Sequence, residues 1–399
     1  MKRYRLDLEI ISKIFFLLYI IYINIIRYSL FQVKGLKIFL LTGAVLSELL
    51  SDGFKAKSNR SLIAYVVFFA YILGSGSLVA TNYSIVISSS LTFAESLLAV
   101  YLVITYTIKD NNVYYAMNAY VVQGLFAVLL VFFRGTGVKR ISIAESVNVN
   151  TIGIMLAFSI GFILYMLIRE SYNPLRLVVS IGCIIMMIAG ILLTSSKKGI
   201  ISAAAMIFLW FVFSYRFTFK KLSTIKKFVF LVFIVTVVAV AYSWFSADYS
   251  YQIEIFKLRM SRLYVGDADQ DRIRLFKEGI SLFFSHPLFG VGLNNSRYYS
   301  FRNTYTHSFY SELFACTGVF GASIFLYALF RPFIQIHHKI LKYGRQKSIL
   351  KTRVIYMQVM FLTMLIISFA QIIFYHPTMM YLVGVFTGYA SISFSYRSS

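Results

Sequence analysis

Five side chains could do chemistry together if the chain brought them to one place. They are Lys197 and Lys198 in LLTSSKKGII, Arg272 and Arg274 in DRIRLFKEGISLFF, and His307 in THSFYSEL. Cations beside one imidazole can hold a phosphate group next to a titratable nitrogen. Arginine suits a diphosphate, because its planar fork donates two hydrogen bonds to phosphate oxygens. His307 stands at the entry of an apolar run, where a helix end offers free backbone N–H groups. A phosphate-bearing lipid would place its charged group at such a water–lipid boundary. Taken singly, each residue also has an ordinary reading. Basic residues at a span edge snorkel to the head groups, and a single His ahead of a helix is usually just solvated.

The elements that must position these residues are membrane spans. The 399 residues are 59% hydrophobic and 14% charged, with a mean hydropathy of +0.75. Soluble domains run near 45–50% apolar and about 25% charged, so the composition predicts an all-α integral membrane protein. Apolar runs of about 20 residues predict twelve spans, roughly at 14–33, 36–51, 61–80, 88–108, 113–133, 151–168, 176–194, 199–215, 227–246, 308–330, 354–374 and 378–395. The net charge of +24 is accounted for by anionic membrane lipids and the positive-inside bias, with no need for nucleic acid. Cys183 and Cys316 fall inside oily runs, which leaves no disulfide framework and no Cys-based metal site. MKRYR precedes the first run without a small-residue cleavage site, so that run is expected to stay as an anchor.

Lys and Arg crowd the short segments that share a side with the N-terminus and are sparse in the short segments opposite. This predicts both termini inside the cell and one long extracytoplasmic loop. The chain then divides into a nine-helix membrane region over 1–246, the loop over 247–307, and a three-helix membrane region over 308–399. Within the loop, 252–264 and 271–284 carry apolar residues at helical spacing (Ile273, Phe276, Ile280 and Phe284 in the second). Both read as amphipathic helices lying along the membrane surface. His286-Pro287 ends the second, and Gly290 and Gly292 permit a tight backbone path.

The run from Arg272 through HPLFGVGLNN to THSFYSELFACTGVFG resembles the bacterial O-antigen polymerase and O-antigen ligase superfamily. The matching features are Arg272 with Phe276 four residues on, the Pro287–Gly292 turn, His307 at a helix start, and Gly318 and Gly321 inside that helix. Two further likenesses lie upstream. Asn148-Val149-Asn150 is similar to an Asn-x-Asn opening, and Thr194–Gly199 to a Thr-Gly-Ser-Arg segment. Lys197 stands where the family usually has arginine, which keeps the charge and loses the fork. Ser308 stands where Asn is commoner. The resemblance implies a lipid-linked glycosyltransferase fold of the GT-C type in a multi-pass bacterial inner-membrane protein. It implies an undecaprenyl-diphosphate-linked oligosaccharide as substrate, joined at the outer face into O-antigen or capsular polysaccharide. A ligase that moves finished glycan onto lipid A–core is the alternative within the superfamily. His307 would be the general base, and Arg272 would stabilise the leaving diphosphate. Lys197, Lys198, Arg274, Asn148 and Asn150 would bind substrate. The reaction so implied demands neither metal nor cofactor. A chain-length regulator and a flippase are the expected partners.

A polysaccharide flippase is the rival from another class, but it should line a midplane cavity with polar groups and show repeated halves. This chain gathers its polar groups at one face and shows no repeat. Other polar residues carry weaker expectations. Glu95 in mid-span is a functional candidate by default, with a protonated carboxyl hydrogen-bonded inside the bundle as the plainer reading. Glu312 lies five residues beyond His307, off its helical face. His376 before Pro377 is a minor site candidate. His337-His338 and the acidic run Asp267, Asp269, Asp271 read as solvated.

Overall fold

The computed structural model describes residues 2–24, 35–52, 59–133, 148–168, 174–218, 254, 270–343 and 349–393. Among them are twelve α-helices and no strand. They are α1 (Lys2–Asn24), α2 (Leu36–Ser51), α3 (Arg60–Val79), α4 (Tyr83–Lys109), α5 (Tyr114–Phe133) and α6 (Val149–Met166). There follow α7 (Pro174–Leu193), α8 (Lys197–Thr218), α9 (Gln270–Ser285), α10 (Phe309–Tyr343), α11 (Ile349–Ile367) and α12 (Pro377–Ser391). Seven of these, α3 to α7 with α10 and α11, are long and apolar enough to cross a membrane. The protein is an all-α integral membrane protein. Eleven of the twelve expected spans coincide with helices, whereas the span at 227–246 and the amphipathic segment at 252–264 lie outside the described residues.

Asparagines start three of the long helices, each with its side-chain oxygen accepting orphan N–H groups of the first turn. Asn59 accepts from Ser61 and Leu62 at 2.8 and 3.2 Å, Asn82 from Ser84 at 3.1 Å, and Asn148 from Asn150 at 2.9 Å. Helix α6 is buried along nearly its whole length, surrounded by α5, α7 and α8. It approaches α8 so closely that a Cβ on Gly199 would lie 2.7 Å from the Gly153 Cα. Helix α12 is equally enclosed, chiefly against α4.

The two ends of the bundle carry different chemistry. At one end Lys13 bridges Glu9 and Asp110 at 2.7 and 3.0 Å, and Lys109 bridges Glu48 and Asp52 at 2.5 and 2.9 Å. Asn59 there donates to Ser391 at 2.8 Å, so the end of α12 and the start of α3 share that end. At the other end lie the α3–α4 turn, the α7–α8 turn, α9 with its following loop, and the α11–α12 turn. All five side chains proposed for chemistry sit in or beside those elements.

Glu95 is engaged inside the bundle. Its carboxylate meets Lys37 Nζ at 2.6 Å and accepts from the Tyr19 hydroxyl at 3.2 Å. The partner that the sequence left unnamed is therefore Lys37, which the first residues of α2 bring to that depth.

Candidate active site

The loop after α9 is built on a joint between two backbones. Helix α10 breaks at Gly318, whose φ and ψ are 59° and −168°. The break leaves peptide groups without helical partners, and the Pro287–Gly292 turn supplies them. Val291 and Gly292 donate to the carbonyls of Ala315 and Cys316, both at 3.0 Å, and Val319 and Phe320 donate back to Pro287 and Leu288 at 2.8 and 3.4 Å. Tyr71 of α3 donates to the Thr317 carbonyl at 2.7 Å. Irregular backbone in a membrane protein survives only where its polar groups are met in this manner. A Cβ on Gly318 would fall 2.3 Å from the Leu288 carbonyl, and one on Gly290 would fall 2.4 Å from the Cys316 carbon. The backbone at Gly318 also lies in a region essentially reserved for glycine, at a cost of about 1–3 kcal/mol for any other residue. Gly318→Ala is therefore expected to lower the unfolding temperature of the detergent-purified protein clearly, and unchanged stability would show that the joint does not hold.

His307 precedes α10 with φ at +60°, a left-handed conformation uncommon outside glycine. Its half-buried ring meets Tyr305 edge-on at 4.5 Å between centroids, and Tyr305 in turn lies 6.1 Å from the Tyr375 ring. The preceding residue, Thr306, packs on α9, where a Cβ added at Gly279 would lie 2.6 Å from its methyl group. Helix α9 is thereby held against the His307 loop, with Leu275 and Gly279 facing inward. Its Ile273, Phe276 and Phe284 are exposed, an apolar stripe available to lipid. Burial, then the positive charges of Arg272 and Lys198, push the His307 imidazole below its ordinary value. Three of the expected residues thus act on one another: Arg272 from α9, Lys198 from α8, and His307. His376, which leads into α12, joins them. Burial, followed by the charge of Lys198, pushes it down to about 4.

The segment TSSKKG folds for a local reason. Ser195 turns the chain with φ at +48°, and Ser196 Oγ caps α8 by accepting from Gly199 N–H at 3.1 Å. Ser196 also donates to the Asn150 side chain at 3.4 Å, which ties the start of α6 to the start of α8. Lys197 and Lys198 then occupy the first turn of α8, the end of a helix that favours negative charge. Lys198 Nζ donates to the carbonyl of Ala370 and to Gln371 Oε1, holding the α11–α12 turn. Asn148 caps α6 through its side-chain oxygen.

Arg274 is engaged elsewhere. It pairs with Glu278 at 3.1 Å and lies 4.1 Å over the Phe301 ring. Asp271 pairs with Arg302 and fastens the start of α9 to the loop, whereas Asp267 and Asp269 lie outside the described residues. His337 meets Gln358 at 3.3 Å. Among the described residues no group of three or more His, Cys, Asp or Glu is placed to hold a metal.

One residue of the site was missed by sequence reasoning. Glu312 is fully buried and accepts from Ser296 Oγ at 2.7 Å, Thr306 N–H at 2.9 Å and the Tyr375 hydroxyl at 2.9 Å. Helical-face arithmetic set it aside, yet its partners lie ahead of the helix and across it, where that arithmetic does not apply. An acidic residue in the first turn of an apolar helix was the available signal.

Fold and site together define a multi-pass membrane protein with a cationic, imidazole-bearing site at one end of its bundle. Residues 182–326 match the model of a family described as O-antigen ligase, in agreement with the O-antigen ligase and polymerase superfamily. The match runs from α7 through the joint at Gly318 and includes Lys197, Lys198, Arg272 and His307. Asn148 and Asn150 precede it. No curated protein matches the chain.

Proposed function

We propose that the protein is a glycosyltransferase of the O-antigen ligase and polymerase type, and specifically a polymerase of undecaprenyl-diphosphate-linked repeat units. The observation that supports this most is the convergence of Arg272 and Lys198 on His307, within the residues that resemble the family. Two lysines at the start of α8 oppose the helix dipole, an unfavourable placement that a bound diphosphate would offset. In this reading the hydroxyl of an acceptor sugar loses its proton to His307 and attacks the anomeric carbon of the donor. The bond from that carbon to the diphosphate breaks, and undecaprenyl diphosphate leaves with the negative charge. Arg272 and Lys197 stabilise that charge as it develops. Lys198 adds to the field while it holds the α11–α12 turn. Asn150, which accepts from Ser196 at the start of α8, and Asn148, which caps α6, would bind substrate at this end of the bundle.

The ligase reading is favoured by the description of the matched family. The two are separated by giving the purified protein lipid-linked repeat units alone, or with a lipid A–core acceptor. A polymerase forms a ladder of lipid-linked products from the first mixture, whereas a ligase acts only in the second. The site is also proposed to face outward from the inner membrane. Single cysteines at Phe301 or Arg302 are expected to react with an impermeant maleimide in intact spheroplasts, and one at Leu341 only after lysis. The reverse pattern would remove the reading, because the lipid-linked sugars are presented outside.

A further inference from the structure

We propose that Glu312 is a positioning residue for His307, an inference that rests on the transferase reading above for its catalytic consequence. The carboxylate is fully buried, and the partners named for it are all donors. They come from four places: Ser296 in the short 3-10 turn, Thr306 next to His307, Cys316 one turn on, and Tyr375 next to His376. One side chain therefore fastens both ends of the loop 296–306 and the turn that leads into α12. The left-handed backbone of His307 follows directly on the peptide that Glu312 holds. Tyr375, held by its hydroxyl, also lies beside Tyr305, the ring that packs on the imidazole. Glu312 itself has no hydrogen bond to His307 among the described residues, so its influence runs through Thr306 and the pair of tyrosines. A carboxylate can accept from all these donors at once. The amide of glutamine cannot accept from all of them: with its oxygen on the Thr306 N–H, its NH2 faces Ser296 and Tyr375, whose hydroxyls must turn from donors to acceptors.

The sign of one titration separates positioning from a plain charge effect. Release of the loop would let water reach His307 and carry it away from Arg272 and Lys198, and its pKa would rise toward the ordinary 6.5. Loss of a nearby negative charge alone would lower it. The test uses the full-length protein in detergent, with the His307 ring resonance identified by its loss in His307→Gln and followed across pH. Glu312→Gln is expected to raise the His307 pKa. It should also reduce kcat on the order of 10²-fold, as a misplacement of about 1 Å can, with KM for the lipid-linked unit unchanged. Tyr375→Phe, which removes one donor and keeps the carboxylate, should move both quantities less and in the same direction. Were Glu312→Gln too unstable to purify, Tyr375→Phe would decide by the same sign. An unchanged or lowered His307 pKa in the folded variants would overturn the proposal. A raised pKa in a protein whose wild type transfers no glycan would keep the positioning role and remove the transferase reading.

Discussion

Replacement of His307 by glutamine is expected to reduce glycan transfer by about 10²–10⁴-fold, the usual contribution of a general base. The amide can still hydrogen-bond an acceptor hydroxyl, but it cannot take the proton near neutral pH. His307→Ala should fail similarly, and neither change should weaken binding of the lipid donor, whose diphosphate is assigned to other residues in the proposed mechanism. The pH profile gives a second, sharper readout. In the free protein the imidazole is held below 6.5 by burial and by the charges of Arg272 and Lys198. The base is the neutral form, so kcat/KM should rise with pH through an apparent pKa below 6.5 and level off above it. Bound diphosphate offsets the two cations, so the limb in kcat should lie at higher pH than the limb in kcat/KM. Coincident limbs, or a His307→Gln enzyme with substantial activity, would reduce His307 to an orienting role.

Arg272→Ala is expected to abolish polymer formation at normal protein levels, the second large effect. Removal of one donor aimed at developing negative charge typically costs about 10²–10³-fold. Arg272 lies on the exposed part of α9, so its loss creates no cavity. Arg272→Lys should recover part of the rate, since a point charge replaces a bidentate fork. The charge change also has a consequence at a distance. Without Arg272 one cause of the depressed His307 pKa is gone, and the acid limb of any residual activity should move up. A fully active Arg272→Ala protein would remove the diphosphate clamp from the mechanism. Lys197→Arg, by contrast, should be tolerated at the first residue of α8.

Much of the fold was legible because a bilayer enforces it. Runs of apolar residues announced the described spans, and the 3.6-residue spacing of Ile273, Phe276 and Phe284 announced α9 and its outward stripe. His307 and Arg272, which the turn and glycine pattern singled out, act on one another in the structure. What stayed hidden were pairings between segments remote in sequence. Nothing in LTFAESLLAV names Lys37 as the partner of Glu95, and nothing in TSSKKG says that Lys198 reaches Ala370. Both are long side chains that cross between helices, and only packing decides where they end. Arg274 illustrates the converse. It shares its helix and its charge with Arg272, yet two residues of offset turn it toward Glu278 and Phe301. Glu312 was set aside by counting around a helix that His307 does not belong to, since α10 begins at Phe309.

The joint at Gly318 has a consequence for selectivity. Helix α9 runs straight into the turn whose peptides complete the break in α10, and further along it rests on Thr306 at Gly279. Arg272 and His307 therefore stand on one frame, fastened twice, like the two jaws of a caliper. In the proposed reaction that frame would set the span between the hydroxyl that His307 activates and the diphosphate that Arg272 holds, so substrates would be sorted by reach as well as by their hydroxyls.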